Sequence, residues 1–315
     1  MSARKKLTNV LMFIVFAVIA WFLVAFVLVP VVSVVKEIFF SEGGFSLHSI
    51  EKLVSSPRVR KALTNSYVMA FCTVITVSIV GIFQIMVTEY FDIAGSKFLE
   101  IIFMTPLMYG GISLVTGYNY VYSANGIFTK LLLELFPNMN PYWCTGFTGV
   151  LFVHTFSMTT FHILFVKTAF KKIDYSTIEA AKSLGANDIQ AFFKVALPVI
   201  KPAIFSATIL LILGALNSFA APSVLGGKNF YMINSMILNL NGLRSYDLSA
   251  LLSFILALTC IVLLLIMKYF EKKNSYITVS KVPTKIRKIK IRNPVVNAVV
   301  HAVAYIWHWF TYCRL

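Results

Sequence analysis

Three groups of residues in this 315-residue chain have types and spacings that could do chemistry. His154 and His162 stand eight positions apart in an apolar run, Gly226-Gly227-Lys228 has the outline of a phosphate-binding turn, and Glu89, Asp92, Glu100 and Lys167 lie in or beside apolar segments. Ionisable groups within a bilayer often relay protons or hold ions. Eight helical residues, however, separate the two histidines by roughly 12 Å along the axis, too far to ligate one metal ion unaided. They read as buried, hydrogen-bonded histidines or as ones packed against a partner subunit. A nucleotide-binding loop needs G-x-x-x-x-G-K-[ST], whereas Asn229 follows Lys228 here and Pro222 occupies the place of the first glycine. Cys72, Cys144, Cys260 and Cys313 form no C-x-x-C pair. The expectation is a chain with no catalytic residues, no metal site and no cofactor of its own.

The elements that would position these residues are membrane spans. Hydrophobic residues make up 58% of the chain and charged residues only 13%, against roughly 25% charged in soluble domains. About 20 helical residues cross a bilayer's hydrocarbon core, and candidate spans fall at 9–35, 66–88, 101–122, 146–170, 203–222 and 248–267, with a seventh apolar stretch at 294–312. Arg4, Lys5 and Lys6 precede the first run, which is too long for a signal peptide's apolar core and reads as a retained anchor. A cytoplasmic N-terminus puts 18 of the 28 Lys and Arg residues on the cytoplasmic side and 8 opposite, in keeping with the positive-inside rule. The net charge of +16 is this bias plus a basic segment at 268–292, so nucleic acid is not an expected partner. Lys167, near a helix end, can snorkel to the cytoplasmic surface, and Glu89 and Asp92 can bond the cytoplasmic rim or meet a partner.

Between the fourth and fifth spans lies Glu179-Ala180-Ala181-x3-Gly185-x9-Val195-x-Leu197-Pro198. Ser176 and Glu179 have capping-box spacing, Gly185 can close a helix in the left-handed region, and Asn187 with Gln190 offers a second start. Pro198 would then end the second helix before the next span. Helix, turn and helix with small Ala180 and Ala181 make a knob that another protein could approach closely. This segment resembles the cytoplasmic loop E-A-A-x3-G-x9-I-x-L-P of membrane permease subunits of binding-protein-dependent ABC importers, with Val195 replacing isoleucine. The resemblance covers about residues 60–270. It implies an all-α polytopic membrane protein of six spans with a cytoplasmic coupling helix, and coupling to an ATPase through Glu179, Ala180, Ala181, Gly185, Leu197 and Pro198. It also implies ABC ATPase subunits carrying ATP and Mg, a second permease half (the same chain or a different one), an extracytoplasmic binding protein, and a bacterial plasma (inner) membrane location. The corresponding division is an anchor helix and outer loop at 1–65, a permease core at 66–270, and a basic then apolar segment at 271–315.

Phe219-Ala220-Ala221-Pro222-Ser223-Val224-Leu225-Gly226-Gly227 resembles segments of permeases for ferric iron, polyamines and phosphonates. Pro222 would stop the fifth span and Gly226-Gly227 would make a tight outer turn that could shape a gate. Asn217, Ser218, Tyr118 and Asn119 are further candidates for the translocation pathway. Asn217 could equally bond a neighbouring helix, and Tyr118, Asn119 and Tyr120 could equally belong to an interfacial aromatic belt. The segment 276–281 and the stretch after it resemble the junction of ferric-iron permeases that join two six-span halves, although the stretch could instead lie along the interface with Trp307 and Trp309. Ferric iron leads as the solute, with polyamine, phosphonate or thiamine open. An ion-coupled transporter would show intramembrane acids and broken repeats, and a channel would show a filter and need no docking loop.

Overall fold

A computed structural model describes residues 3–40, 45–227, 230–274, 288–289, 291 and 294–312. The 276–281 junction, Lys228 with Asn229, and Cys313 lie outside the described residues. In chain order the helices are α1 (Asn9–Phe40), α2 (His48–Ser55), α3 (Pro57–Tyr90), α4 (Ser96–Met104), α5 (Gly111–Tyr122), α6 (Ile127–Leu135) and α7 (Gly146–Phe170). They continue as α8 (Tyr175–Ser183), α9 (Asp188–Leu216), α10 (Ala220–Leu225), α11 (Ile233–Gly242), α12 (Tyr246–Asn274) and α13 (Pro294–Tyr312). Among the described residues there is no strand beyond one isolated bridge, Phe91 with Ile289, so the protein is an all-α polytopic membrane protein.

Helices α1, α3, α7, α9 and α12 are each long and apolar enough to cross a membrane. The third expected span, 101–122, is not one helix. Ser96–Met108 and Gly111–Leu135 together meet the length and apolarity of a span only as a pair bent by 113°. Pro106 sits in a 3-10 turn, Thr105–Met108, and Gly110 is extended, so the α-helical ladder stops there and restarts at Gly111. The fifth span also differs from expectation. It begins at Asp188 rather than near residue 203, passes through Pro198 and Pro202, and ends at Leu216, well before Pro222. A π turn, Phe192–Ala196, lies just ahead of Pro198, and Leu197 N–H donates to Phe192 O across it. The wider turn accommodates a ring that would crowd the preceding carbonyl in regular α-helix, so Pro198 does not terminate the helix.

The chain divides into two compact units, Met1–Arg60 with Met236–Leu258, and Lys61–Ser235 with Thr259–Leu315. In the first, the apolar side chains of α1, Val10, Phe13 and Trp21 among them, are exposed, as suits a helix whose solvent is lipid. There Lys52 Nζ lies 2.8 Å from Asp247 Oδ2, and Ser49 Oγ donates to Ile38 O at 3.0 Å.

The second unit holds two apolar cores. One gathers Ile85 and Tyr90 of α3, Leu99 and Phe103 of α4, Val166 and Phe170 of α7, and Ile178 and Phe192 of the segment that follows. The other joins Met69, Leu114, Tyr118, Val150, Val153, Phe156 and Leu225. Helix α13 packs against α4: Ala304 is buried, Tyr305 Oη donates to Ala94 O at 2.9 Å, and His301 Nε2 accepts from Ala94 N at 3.3 Å. The side chains of Trp307 and Trp309 lie outside the described residues.

Candidate functional site

The segment from Asp174 to Pro198 folds as a knob whose inner face is fixed and whose outer face is bare. Its first helix starts differently from expectation. Asp174, not Ser176, is the N-cap: its Oδ1 accepts from Ser176 N at 3.1 Å, and Thr177 Oγ1 donates to Asp174 O at 2.7 Å. Ser176 is already the second helical residue, so it cannot close a box with Glu179, which stands exposed. Asp174→Ala is therefore expected to cost about 1 kcal/mol of stability, while Ser176→Ala and Glu179→Ala leave thermal unfolding in detergent almost unchanged.

Gly185 closes α8 at φ +91°, a conformation L side chains rarely adopt, with Gly185 N donating to Lys182 O and Ala186 N to Ala181 O. The second start forms as the sequence suggests. Asn187 Oδ1 accepts from Gln190 N at 2.8 Å and Gln190 Oε1 accepts from Asn187 N at 3.1 Å. Lys182 Nζ bridges the turn to Asp188 Oδ1 at 2.6 Å. Inward, Ile178, Ala191, Phe192 and Ala196 are buried, and Tyr90 Oη donates to Asp188 O at 2.8 Å, pinning the knob to the end of α3. Outward, Leu184 beside the turn is 90% exposed, and Ile189, Phe193, Ala180 and Glu179 are exposed as well. Leu197 and Pro198 lie in the helix behind it, half-buried and exposed respectively.

Directly behind the knob is a cluster that sequence reasoning missed. Lys167 does not snorkel; its ammonium is buried between Glu100, which it meets at ion-pair distance, and Glu89 Oε1 at 2.7 Å. Lys171 Nζ lies 4.0 Å from the other Glu89 oxygen. The partners come from α3, α4 and α7, so only the tertiary fold brings them together. Asp92 is exposed and uses its backbone N–H to bond Ile289 O at 2.9 Å.

A cavity of about 250 Å³ opens at the break between α4 and α5, lined by Pro106, Tyr109, His154, Ser157, Met158 and Ser218 among others. His154 accepts or donates on both sides, with Nδ1 3.2 Å from Thr73 Oγ1 and Nε2 2.8 Å from Ser218 Oγ. His162 is fully buried, and neither ring nitrogen has a hydrogen-bond partner, unlike the expectation for it. Among the described residues no three of His, Cys, Asp and Glu gather as metal ligands.

Of the pathway candidates, only Ser218 lines this cavity. Asn217 is exposed and turns its Nδ2 to Leu213 O at 2.8 Å and Cys260 Sγ at 3.5 Å. Tyr118 is fully buried, its ring packed against Tyr122, Phe152 and Phe156, while Asn119 is half-buried and its carbonyl accepts from Ser123 N. Pro222 does not stop a span. It is buried inside α10, because the chain has already left helix at Asn217. Gly227 makes the expected turn at φ +66°, and a Cβ on Gly226 would fall 2.3 Å from Pro222 O and 2.4 Å from Phe230 O. Both obstacles are backbone atoms, so Gly226→Ala is expected to destabilise the fold by about 1–3 kcal/mol, read as thermal unfolding.

Residues 98–276 match the family described as binding-protein-dependent transport system inner membrane component. The chain belongs to this family. It is 43% identical over 307 residues to the "Probable ABC transporter permease protein y4fN" of Sinorhizobium fredii, covering 97% of this chain and 54% of that protein. Identity is 20% with the "Ferric transport system permease protein FbpB" of Actinobacillus pleuropneumoniae (81% of this chain, 37% of that one). It is 24% with the "Spermidine/putrescine transport system permease protein PotB" of Haemophilus influenzae (74% and 84%). The chain thus spans about half the length of the first of these relatives and little more than a third of the second. A bacterial alginate ABC transporter chain, solved in complex with an alginate-bound periplasmic protein, has the same fold, with a TM-score of 0.69 at 17% identity over 89% of this chain and 98% of that one.

Within this inner membrane component, the knob, the charge cluster and the cavity lie in or beside the family-matched residues, and Glu89 precedes them. The exposure of Leu184 had no signal in the sequence, where it reads as an ordinary apolar residue of a short helix. The cluster had a weak one: a lysine and two acids beside apolar runs, of which Lys167 and Glu89 read separately as groups at the cytoplasmic rim and Glu100 only as an acid ahead of a span.

Proposed function

We propose that this chain is a transmembrane permease subunit of an ATP-driven importer in a bacterial plasma membrane, with its N-terminus and knob in the cytoplasm. Separate ATPase subunits bind ATP and Mg, receive the knob in a groove, and rock the spans between inward- and outward-facing states together with a second permease half. A solute-loaded extracytoplasmic binding protein biases that equilibrium, which it can do only by binding the two states unequally. The observation that carries this reading is the knob itself: an inner face fixed by Ile178, Phe192 and Tyr90, and an outer face ending in bare Leu184.

Ferric iron leads as the solute, on the Phe219–Gly227 pattern and the likeness to a ferric permease. The likeness to a spermidine/putrescine permease supports a polyamine as the second reading. In an affinity purification of the tagged chain from its own membranes, ATPase subunits should come with the parent protein, and Glu179→Ala should reduce their recovery without lowering its melting temperature. Equal recovery from the Glu179→Ala and Gly185→Val variants would count against the coupling role. Uptake of radiolabelled iron against radiolabelled spermidine in cells expressing the complete system distinguishes the two solutes.

A further inference from the structure

The Glu89–Lys167–Glu100 cluster ties together three segments that lead in different directions. Glu89 is in the last turn of α3, beside Tyr90, whose hydroxyl holds the knob at Asp188. Lys167 is in the last turn of α7, which runs through Phe170 into Asp174 and the knob. Glu100 is in α4, five residues before the break at Thr105 that borders the cavity. Helices α3 and α7, which hold the knob, and the broken helix pair therefore meet at one buried cation. Around it Leu99, Phe103, Ile163, Val166, Ile178 and Phe192 form a single apolar core.

We infer that Lys167 and Glu100 are positioning residues for the transport cycle: their ion pair carries displacement of the knob to the broken helix pair, while Glu89 keeps the lysine paired whenever Glu100 lets go. The inference rests on the proposed coupling role of the knob. A lysine flanked by two carboxylates has two paired positions, and interactions of this kind give packed interfaces discrete alternatives rather than continuous give. The two acids are not equivalent. Glu100 is 31% exposed against 13% for Glu89, so water can take over the Glu100 carboxylate more readily when α4 moves. Buried ion clusters contribute little net stability compared with well-packed neutral replacements, so a role in stability alone gives no reason for this one.

The test uses the full chain in complex with its second permease half and ATPase subunits, its native cysteines replaced by serine, and Ser157→Cys as a reporter in the cavity wall. Labelling of that cysteine by a maleimide is timed without nucleotide and after trapping with ATP, Mg and vanadate. The parent should show a several-fold difference between the two conditions. Glu100→Gln should lose that difference while ATPase subunits still co-purify, and Lys167→Arg should keep it. The triple variant Glu89→Gln, Lys167→Met, Glu100→Gln leaves no buried charge unpaired, so its expected loss of the difference does not report misfolding. A full difference in Glu100→Gln or in the triple variant overturns the inference alone. A parent that binds no ATPase, or binds it and shows no difference, overturns the coupling reading and the inference with it.

Discussion

Leu184→Asp is expected to lower the affinity of the chain for the proposed ATPase partner by roughly 30- to 1000-fold, corresponding to about 2–4 kcal/mol, with no change in the melting temperature of the isolated chain. A side chain that is 90% exposed contributes almost nothing to the fold it projects from. An apolar tip of this kind contributes instead when a partner's pocket closes over it, and a carboxylate there would have to be stripped of water inside that pocket. Leu184→Ala removes the contact without adding a charge and should fall between the parent and Leu184→Asp. Titration of the purified ATPase against the chain in detergent measures both. Parent-like affinity in Leu184→Asp would place the ATPase contact elsewhere.

The second large effect is on stability. Lys167→Met should destabilise the chain by about 3–5 kcal/mol, because it leaves the largely buried Glu89 carboxylate and the part-exposed Glu100 carboxylate without the lysine that pairs with both. The triple neutral variant should recover most of that loss, since it removes the unpaired charges as well as the pair. Thermal unfolding of the purified variants in detergent checks both. A Lys167→Met protein as stable as the parent would mean that water reaches the two carboxylates freely. Chemistry elsewhere in the fold should be quiet. Burial pushes the Cys144 thiol up to about 12, so Cys144 should stay a thiol and resist maleimide at neutral pH.

Much of this protein is written in the chain because its signals are local. Apolar runs of span length, basic residues between them, the Asn187–Gln190 box and Gly185 each act over a few residues, and the bilayer gives every apolar run the same instruction. The knob was legible for that reason. Its first cap is Asp174, two residues before Ser176, because the Asp174 carboxylate is a strong acceptor already placed to receive the Ser176 N–H. The prolines misled in the other direction. Pro198 reads locally as a stop, but a π turn lets α9 continue through it, whereas Pro106 and Gly110 interrupt a stretch whose apolarity alone suggests one span.

What only the tertiary structure decided are meetings between residues distant in sequence. Glu89, Glu100 and Lys167 lie on three helices, and each looks alone like a charge seeking the membrane surface. They pair because packing brings α3, α4 and α7 together around the lysine, a condition no window of sequence contains. The same holds for the cavity, where Ser218 meets His154 because a helix breaks at Pro106 and another ends at Leu216. The sequence by itself determined the first, second, fourth and sixth spans and the helix–turn–helix of the knob; packing determined where the third span breaks, which charges share a site and which apolar tip was left bare.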